Sequence, residues 1–386
     1  MKPHVLLVVN SYVTPQDPRA GEKFRLQVDA LLDAGWQVGL IAIAQRQSGR
    51  QQRSTKGYGL ISREQHRDAL MFRDHTYRRV LSPLRTPQHI GARLAARCLS
   101  RYVGVAGRPD IVHAHGLCYA GFTALEIKRR HGIPFVLTEH MSRFLTPSRV
   151  RPLADRYTDI LNAAAARLPV SDQLGAALEA EFGAAFRPWQ SVPNMIDSEF
   201  LLPLVAPPSD FTFLTVGRLE PVKGYELLLR AFAARFRNQP VRLVIGGMGA
   251  LADELQRLTT ALGIGAQVSF PGWLKRHEIL ESLQRCSAYV MSSHQETFGL
   301  PLIEAFACGR PVIATACGGP QSLVTDSNGI LVPPGDTAAL AEAMWQMYRG
   351  CKAYDADKIQ QDCRAQFAPP AVVSRLDGIY RAAMAS

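Results

Sequence analysis

The sequence predicts an α/β protein with two Rossmann-like, doubly wound parallel-sheet domains that face each other across a cleft. Short apolar runs alternate with helix-patterned stretches, the alternation stops at a proline-rich segment, and it then restarts. With 386 residues, the chain is long enough for two separate hydrophobic cores. We expect a first domain at residues 1–200, a second at 201–369 and a final helical segment at 370–386.

In the first half, short runs rich in Val, Ile and Leu predict buried strands. Between them, apolar residues recur three and four positions apart, which predicts helices. The predicted strands lie at 5–10, 38–43, 111–115 and 134–138, and the predicted helices at 21–34 and 120–130. The polar and basic residues 46–80 give no clear element.

The second half begins after residues 200–210, a proline-rich segment without periodicity that indicates a linker. The predicted strands then lie at 211–216, 242–245, 267–270, 288–291, 311–314 and 330–332, and the predicted helices at 225–236, 251–262, 277–284, 302–308, 337–348 and 370–383. Ligands of open α/β sheets bind beyond the carboxyl ends of the strands, so we expect the site among the loops that follow them.

Composition limits the class of protein. The seven cysteines are scattered and form no C-x-x-C pair, which indicates reduced thiols in a cytosol and argues against a zinc site. No apolar run approaches the ~20 residues of a membrane span. The apolar run at residues 5–9 is too short for a signal-peptide core, so we expect a cytoplasmic protein.

The net charge of +11 is concentrated in a basic segment, residues 46–108, where fourteen Lys and Arg residues face three acidic ones. Within it Arg93, Arg97 and Arg101 would form one stripe on a helix. Such a stripe is most simply a solvated face, but a basic amphipathic helix also binds anionic lipid, and an acidic or diphosphate-bearing acceptor would use the same charges. No aromatic-interleaved basic motif accompanies the stripe, which argues against nucleic acid.

The central motif of the sequence lies at residues 292–309, between a predicted strand and a predicted helix. Pro301 suits the first helical position. The N–H groups of Phe298, Gly299 and Leu300 would then lie at the positive end of the helix dipole and could bind an anion or sugar hydroxyls. Glu296 before the helix and Glu304 one turn inside it could each accept from hydroxyl pairs.

Other strand ends carry further candidates. Arg218 and Lys223 follow the strand at 211–216. A guanidinium and an ammonium together could bind a leaving diphosphate. The alternative is an ordinary surface turn with two exposed cations. Gly247 belongs to a glycine turn at another strand end. Trp273 follows the strand at 267–270 and could equally be a core residue.

In the first half, His115 ends one predicted strand, and Glu139 and His140 end its neighbour. A histidine at a strand end is often a satisfied polar residue. Three such groups at adjacent strand ends nevertheless favour a site.

These motifs resemble those of retaining glycosyltransferases of family 4, which have the GT-B fold. The resemblance implies a nucleotide-diphosphate sugar as donor, with no cofactor, and a final helix that crosses back to the first domain. It implies that Glu296 accepts from the donor sugar and that Glu304 takes the ribose hydroxyls. Arg218 and Lys223 would hold the diphosphate, which leaves no need for a metal. The remaining implied site residues are His115 near the transferred sugar, the Phe298, Gly299 and Leu300 amides, Gly247 and Trp273.

The resemblance is weaker in the first domain. The family loop at 15–21 usually carries two adjacent glycines near the diphosphate, and here only Gly21 matches. Glu139 and His140 would contact the acceptor. We expect that acceptor to be a saccharide or a lipid-linked saccharide in polysaccharide synthesis at the inner membrane face. A nucleotide-sugar epimerase or hydrolase on the same fold, and a non-enzymatic basic binding protein, are the alternatives.

Overall fold

The computed structural model describes residues 2–10, 12, 21–43, 61–74, 87–146, 154–206 and 209–385. The chain divides into two compact units: unit 1 is Met1–Met195 with Val372–Ser386, and unit 2 is Ile196–Ala371. Each unit is built around its own sheet with helices between successive strands, so the α/β fold class is confirmed.

The described part of unit 1 has a seven-stranded sheet. Its strands are β1 (His4–Val9), β2 (Gln37–Ile43), β3 (Ile61–His66), β4 (Ala69–Asp74), β5 (Ile111–His115), β6 (Phe135–Glu139) and β7 (Ala166–Pro169). The order is β3-β4-β2-β1-β5-β6-β7. The helices are α1 (Glu22–Asp33), α2 (Pro87–Ala106), α3 (Phe122–His131), α4 (Ala154–Ala163) and α5 (Asp172–Phe182). β1 and β5 are buried along their whole length, as expected for parallel strands covered on both faces.

One part of this sheet departs from the expected all-parallel pattern. β3 pairs antiparallel with β4 and forms the edge of the sheet. The sequence pattern predicts no strand here, because Arg63, Gln65 and their neighbours on β3 are polar and partly exposed. An edge strand of this kind carries no apolar run.

In the described part of unit 2, a six-stranded sheet is parallel throughout and has the order β10-β9-β8-β11-β12-β13. Its strands are β8 (Phe211–Val216), β9 (Val241–Gly246), β10 (Val268–Gly272), β11 (Ala288–Met291), β12 (Val312–Thr315) and β13 (Gly329–Val332). The helices are α6 (Tyr225–Phe236), α7 (Ala252–Ala261), α8 (Arg276–Arg285), α9 (Leu300–Ala307), α10 (Thr337–Gly350) and α11 (Ala356–Phe367).

The last helix, α12 (Pro369–Ala385), contributes most of its length to the core of unit 1. Val373, Leu376 and Tyr380 lie on one helical face and are at most 4% exposed. The Tyr380 ring meets the Trp36 ring edge-on at 5.2 Å between centroids. Burial of such large apolar side chains contributes roughly 1.5–3 kcal/mol each, so this helix is an integral part of the unit 1 core.

Two arginines in the described part of the basic segment are paired with carboxylates. Arg73 is 3% exposed and donates to Glu64 at 2.8 Å and 3.0 Å. Arg67 pairs with Asp33 at 2.6 Å. The predicted stripe lies on α2, but the side chain of Arg93 and residues 44–60 and 75–86 lie outside the described residues. No helix in the described part of the chain is both long enough and apolar enough to cross a bilayer.

Candidate active site

The loop after β8 carries Arg218 and Lys223 and is held against the end of β11. Gly224, the residue before α6, has a φ of +63°, and a Cβ there would lie 2.1 Å from the Ser292 carbonyl oxygen. The Ser292 hydroxyl donates to the Lys223 carbonyl at 3.0 Å. Because only glycine permits this approach and this dihedral angle, the backbone itself fixes where the loop lies.

The structure joins two of the predicted site residues directly. The ammonium of Lys223 lies 2.8 Å from Glu296 Oε2, and the two side chains are 22% and 18% exposed. Glu296 Oε1 also accepts from the Thr297 N–H at 3.1 Å. A cation and an anion are thus held together, partly shielded from water, at neighbouring strand ends.

Arg218 lies on the same loop, and its ion pair is separate from that of Lys223 with Glu296. Its guanidinium donates to Glu220 at 2.7 Å, and its side chain is 71% exposed. Exposed ion pairs contribute only about 0–1 kcal/mol. Arg218 can therefore exchange Glu220 for a stronger anion at little cost.

The stretch from Glu296 to α9 has the predicted strand–loop–helix form. The Gly319 N–H donates to the Glu296 carbonyl at 2.7 Å, and a Cβ on Gly319 would lie 2.3 Å from Phe298 Cα. Gly299 precedes α9 with a φ of +106°, and Leu300 begins the helix. Since the first N–H groups of a helix lack intrahelical acceptors, the amides of Phe298, Gly299 and Leu300 gather at the positive end of α9.

Glu304 lies half-buried on α9, one turn beyond this loop. Burial raises the pKa of the Tyr289 hydroxyl, and the negative charge of Glu304 raises it further. The carboxylate of Glu304 therefore acts on the interior of the strand ends, whereas Glu296 lies at their rim beside Lys223.

Two other predicted residues sit at the next strand ends of the same sheet. Gly247 follows β9 with a φ of +144°, and a Cβ there would lie 1.8 Å from the Gly217 carbonyl oxygen. Its N–H donates to the Gly272 carbonyl at 2.7 Å, so three loop backbones are in contact. Trp273 is 38% exposed, which excludes the alternative that it is a core residue and leaves its ring face accessible.

In unit 1 the predicted histidines form a stack. The rings of His113 and His115 are stacked at 4.1 Å between centroids, and those of His115 and His140 at 5.4 Å. His115 Nδ1 lies 3.1 Å from His140 Nε2. His113 is held by the Tyr380 hydroxyl at 2.6 Å and the Thr138 hydroxyl at 2.7 Å.

This histidine stack is neutral and lines a small polar cavity. Burial lowers the pKa of His113 to about 3 and lowers those of His115 and His140 well below the usual value. His115 Nε2 and His140 Nδ1 are buried and have no hydrogen-bond partner among the described residues. The cavity of about 20 Å³ beside them is large enough for one water. The site thus offers two unsatisfied imidazole nitrogens to a hydroxyl.

Glu139 departs from its predicted acceptor-binding role. Its side chain is 1% exposed, and its carboxylate accepts from the N–H groups of Leu117, His140 and Met141 at 2.7–2.8 Å. Burial raises the pKa of Glu139, and these backbone donors oppose that rise. Glu139 therefore fixes the turns that follow β5 and β6 instead of reaching out to a ligand.

The predicted Gly21 is described, but residues 13–20 of its loop are not. Gly21 precedes α1 with a φ of +76°. Two residues later, Lys23 lines the cavity, and its positive charge helps to lower the pKa values of His115 and His140. Lys23 is a candidate site residue that the sequence reasoning missed, although its place directly after the glycine loop is a usable signal.

His113 was also missed, together with its partner Tyr380. The alternation of His113 and His115 along β5 places both rings on the same face of the sheet and could have revealed the first. Tyr380 lies 267 residues further along the chain, where no local pattern points to His113.

Two family models together match most of the chain. Residues 26–200 match the model described as Glycosyltransferase Family 4, and residues 203–356 match the model described as Glycosyl transferases group 1. The two matches meet within the predicted linker, residues 200–210.

Curated relatives extend these matches. D-inositol 3-phosphate glycosyltransferase 1 of Catenulispora acidiphila is 32% identical over 310 residues, which cover 72% of this chain and 73% of that protein. The D-inositol 3-phosphate glycosyltransferase of Frankia alni is 31% identical over 275 residues, which cover 62% of this chain and 66% of that protein. The chain spans about two thirds of the length of these relatives.

Solved structures match nearly the whole chain. Sucrose-phosphate synthase from Thermosynechococcus elongatus has a TM-score of 0.72 at 21% identity, over 98% of both chains. Anabaena HepE in complex with UDP has a TM-score of 0.73 at 18% identity, over 98% of this chain and 99% of that one. At these identities the likeness shows the fold alone, and it confirms the GT-B fold class.

Proposed function

The chain belongs to glycosyltransferase family 4, and we propose that it is a retaining glycosyltransferase that uses a nucleotide-diphosphate sugar. The observation that carries this proposal is the contact of Lys223 with Glu296 at 2.8 Å. One of these charges suits the leaving diphosphate and the other the sugar hydroxyls.

Each part of the unit 2 site then has a chemical task. Lys223 and Arg218 neutralise the diphosphate as it leaves, and we propose that they make a metal unnecessary. Glu296 accepts from hydroxyls of the transferred sugar, and the amides of Phe298, Gly299 and Leu300 donate to the sugar and the β-phosphate. Glu304 accepts from the ribose hydroxyls.

We propose front-face attack, in which the leaving phosphate takes the proton of the acceptor hydroxyl as the new glycosidic bond forms. The buried neutral imidazole of His115 would bind a hydroxyl beside the reacting carbon without adding charge. A glycosyl–enzyme adduct trapped on a carboxylate would contradict this mechanism.

The acceptor that we propose is a saccharide or lipid-linked saccharide in cell-surface polysaccharide synthesis. The names of the curated relatives favour a second candidate, D-inositol 3-phosphate. Lys23, whose charge acts on His115 and His140, supplies a cation suited to the phosphate of such an acceptor. Product formation with each acceptor class, measured with one donor, separates the two.

We also propose a cytoplasmic location, because all seven cysteines are described and unpaired. Peripheral attachment to the inner membrane face would use the basic segment. Binding to phosphatidylglycerol vesicles that weakens as salt rises supports attachment, and equal binding to neutral vesicles contradicts it.

The central test is a thermal-shift and calorimetric screen with UDP, GDP, ADP and TDP. A nucleotide at 100 times its dissociation constant should stabilise the protein by about 2.7 kcal/mol. We expect Lys223→Ala and Arg218→Ala to abolish the shift. Lys358→Ala, which breaks an exposed ion pair with Asp362 on α11, is the matched control and should retain it.

Product analysis distinguishes transfer from the alternative reactions on the same fold. Sugar release or epimerisation at an equal rate with and without acceptor would indicate a hydrolase or an epimerase. Absence of binding to all four nucleotides would contradict the proposed function.

A further inference from the structure

Parallel pairing between β8 and β11 ends early, near the carboxyl edge of the unit 2 sheet. Among the described residues, the last pair between these strands is Leu214 with Tyr289, whereas β8 pairs with β9 as far as Val216. The chain passes from β8 to β9 on one side and returns as β11 on the other. Such a switch in direction is where open α/β sheets bind ligands, in a crevice between the two strand ends.

A single tyrosine hydroxyl occupies the position where the ladder stops. The Val216 N–H donates to the Tyr289 hydroxyl at 3.1 Å, and that hydroxyl donates to the Val216 carbonyl at 3.1 Å. These are the backbone groups that a neighbouring strand would otherwise bond. Burial raises the pKa of Tyr289, so the hydroxyl keeps the proton that it donates. The hydroxyl therefore replaces one rung of the ladder while the two strands diverge.

The surrounding space is filled by a second tyrosine. Burial raises the pKa values of both Tyr225 and Tyr289, and the neighbouring Thr215 hydroxyl opposes both rises. A Cβ on Gly217 would lie 2.7 Å from the Tyr225 hydroxyl. The loop that begins at Gly217 thus rests on two buried hydroxyl groups, and its first residue has no room for a side chain.

We infer that Tyr289 is a positioning residue for the loop that carries Arg218 and Lys223, and that its hydroxyl sets the width of the crevice for the donor diphosphate. The inference rests on the proposed function of this site. Tyr289 acts through Val216 and the loop, because its own hydroxyl is already committed to the Val216 backbone. Without that hydroxyl, the N–H and carbonyl of Val216 lose this partner in a partly buried position, and the loop shifts to satisfy them.

The test is Tyr289→Phe in the full chain, which removes one oxygen and keeps the ring. We expect hydrogen exchange of the amides at 217–224 to quicken about 30-fold, since two hydrogen bonds of about 1 kcal/mol each are lost and about 1.4 kcal/mol is a factor of ten. We expect the dissociation constant for the nucleotide that the wild-type protein binds to rise by about tenfold, with the KM for the donor rising more than kcat falls.

Tyr102→Phe is the matched control. Tyr102 in unit 1 is also fully buried, and its hydroxyl bonds to His4, so the variant should lower thermal stability and leave nucleotide binding unchanged. Equal loss of stability in both variants, with unchanged exchange at 217–224 and unchanged binding in Tyr289→Phe, would overturn the inference.

Two other outcomes also decide the matter. If Tyr289→Phe does not fold, Thr215→Val removes the hydroxyl that acts on Tyr225 and Tyr289 and keeps the shape of the side chain. A weaker loss of affinity in the same direction supports the inference, and unchanged affinity overturns it. If the wild-type protein binds none of the four nucleotides, the proposed function fails and this inference fails with it. That failure is seen before any variant is made, so the two cannot be confused.

Discussion

The two units place opposite kinds of chemistry at the carboxyl ends of their strands. In unit 2 the ammonium of Lys223 and the carboxylate of Glu296 are charged and about one fifth exposed. In unit 1 the imidazoles of His113 and His115 are neutral and at most 3% exposed. Charges suit a diphosphate, whereas neutral nitrogens suit hydroxyl groups. If the proposed function is correct, we expect the charges of unit 2 to bind the donor diphosphate and the neutral nitrogens of unit 1 to bind hydroxyl groups.

The two sites are also held in place differently. Gly224, Gly247 and Gly319 bring loop backbones of unit 2 closer than any side chain would allow. In unit 1, side chains do this work, because Tyr380 and the Glu139 carboxylate fix the strand ends through hydrogen bonds. A site held by backbone contacts should lose stability when a glycine is replaced by alanine. A site held by buried, titratable side chains should change its stability with pH.

The largest expected effect comes from removing the negative charge of unit 2. Glu296→Gln should lower the rate of transfer by about 100- to 1000-fold, the usual effect of losing one group that stabilises a transition state. Nucleotide binding should tighten a few-fold, because Lys223 is then released from an ion pair worth up to about 1 kcal/mol. Initial rates with a labelled donor and calorimetry with the bare nucleotide measure the two effects separately.

Glu342→Gln is the control for this variant. Glu342 pairs with Arg235 on the surface of the same unit at 2.5 Å, so its loss should change neither rate nor affinity. If Glu296→Gln transfers sugar within tenfold of the wild-type rate, the charge of Glu296 is not needed for transfer. The comparison between a charged and a neutral site would then lose its functional meaning.

Much of unit 2 is readable from the sequence because its site is local. Lys223 and Gly224 are adjacent, and the stretch from Glu296 to Leu300 carries its own loop, turn glycine and helix start. Each close approach of two loop backbones requires a glycine, and glycines are identified directly in the sequence. Neighbouring loops of a parallel sheet then meet because their strands are adjacent.

Unit 1 is less readable because its contacts are remote. The edge strand β3 has no apolar run to reveal it, and Tyr380 meets His113 across 267 residues. Glu139 has the sequence position of a ligand-binding carboxylate, but its three backbone partners are set by the turns after β5 and β6. No spacing rule supplies these partners, so the sequence does not reveal that this carboxylate bonds to the backbone.

The next effect sharpens the claim that backbone contacts hold the unit 2 site. Gly247→Ala places a Cβ 1.8 Å from the Gly217 carbonyl oxygen at a φ of +144°. We expect the free energy of unfolding of unit 2 to fall by about 3 kcal/mol, from strain and loop displacement together. Hydrogen exchange of β8 and β9 across a urea series in the full chain measures this change.

Gly263→Ala is the control for Gly247→Ala. Gly263 also has a positive φ, +67°, but a Cβ there would have no neighbour within 4 Å. This control should cost only about 1 kcal/mol, the penalty of a left-handed backbone for alanine. An equal cost at the two positions would show that the close approach contributes nothing.

The smallest effect concerns the neutral histidines of unit 1. The pKa of His113 is lowered to about 3 by burial, below the value of about 6.5 expected for an unfolded chain. Between these pH values, the His113 imidazole binds a proton in the unfolded chain but not in the folded chain. Unit 1 should therefore be most stable above pH 6.5 and lose up to about 1.4 kcal/mol per pH unit for each such histidine as the pH falls.

His113→Asn removes one of these titrating groups. Between pH 6.5 and pH 5, the free energy of unfolding of unit 1 should depend on pH less steeply by up to about 1.4 kcal/mol per unit, whatever its absolute value. His131→Asn, at an exposed position that ends α3, should leave the slope unchanged. Identical slopes in wild type and His113→Asn would mean that the imidazole binds protons equally in the folded and the unfolded chain. The contrast between a charged unit 2 site and a neutral unit 1 site would then fail, because His113 would take up a proton in the folded chain as readily as in the unfolded chain.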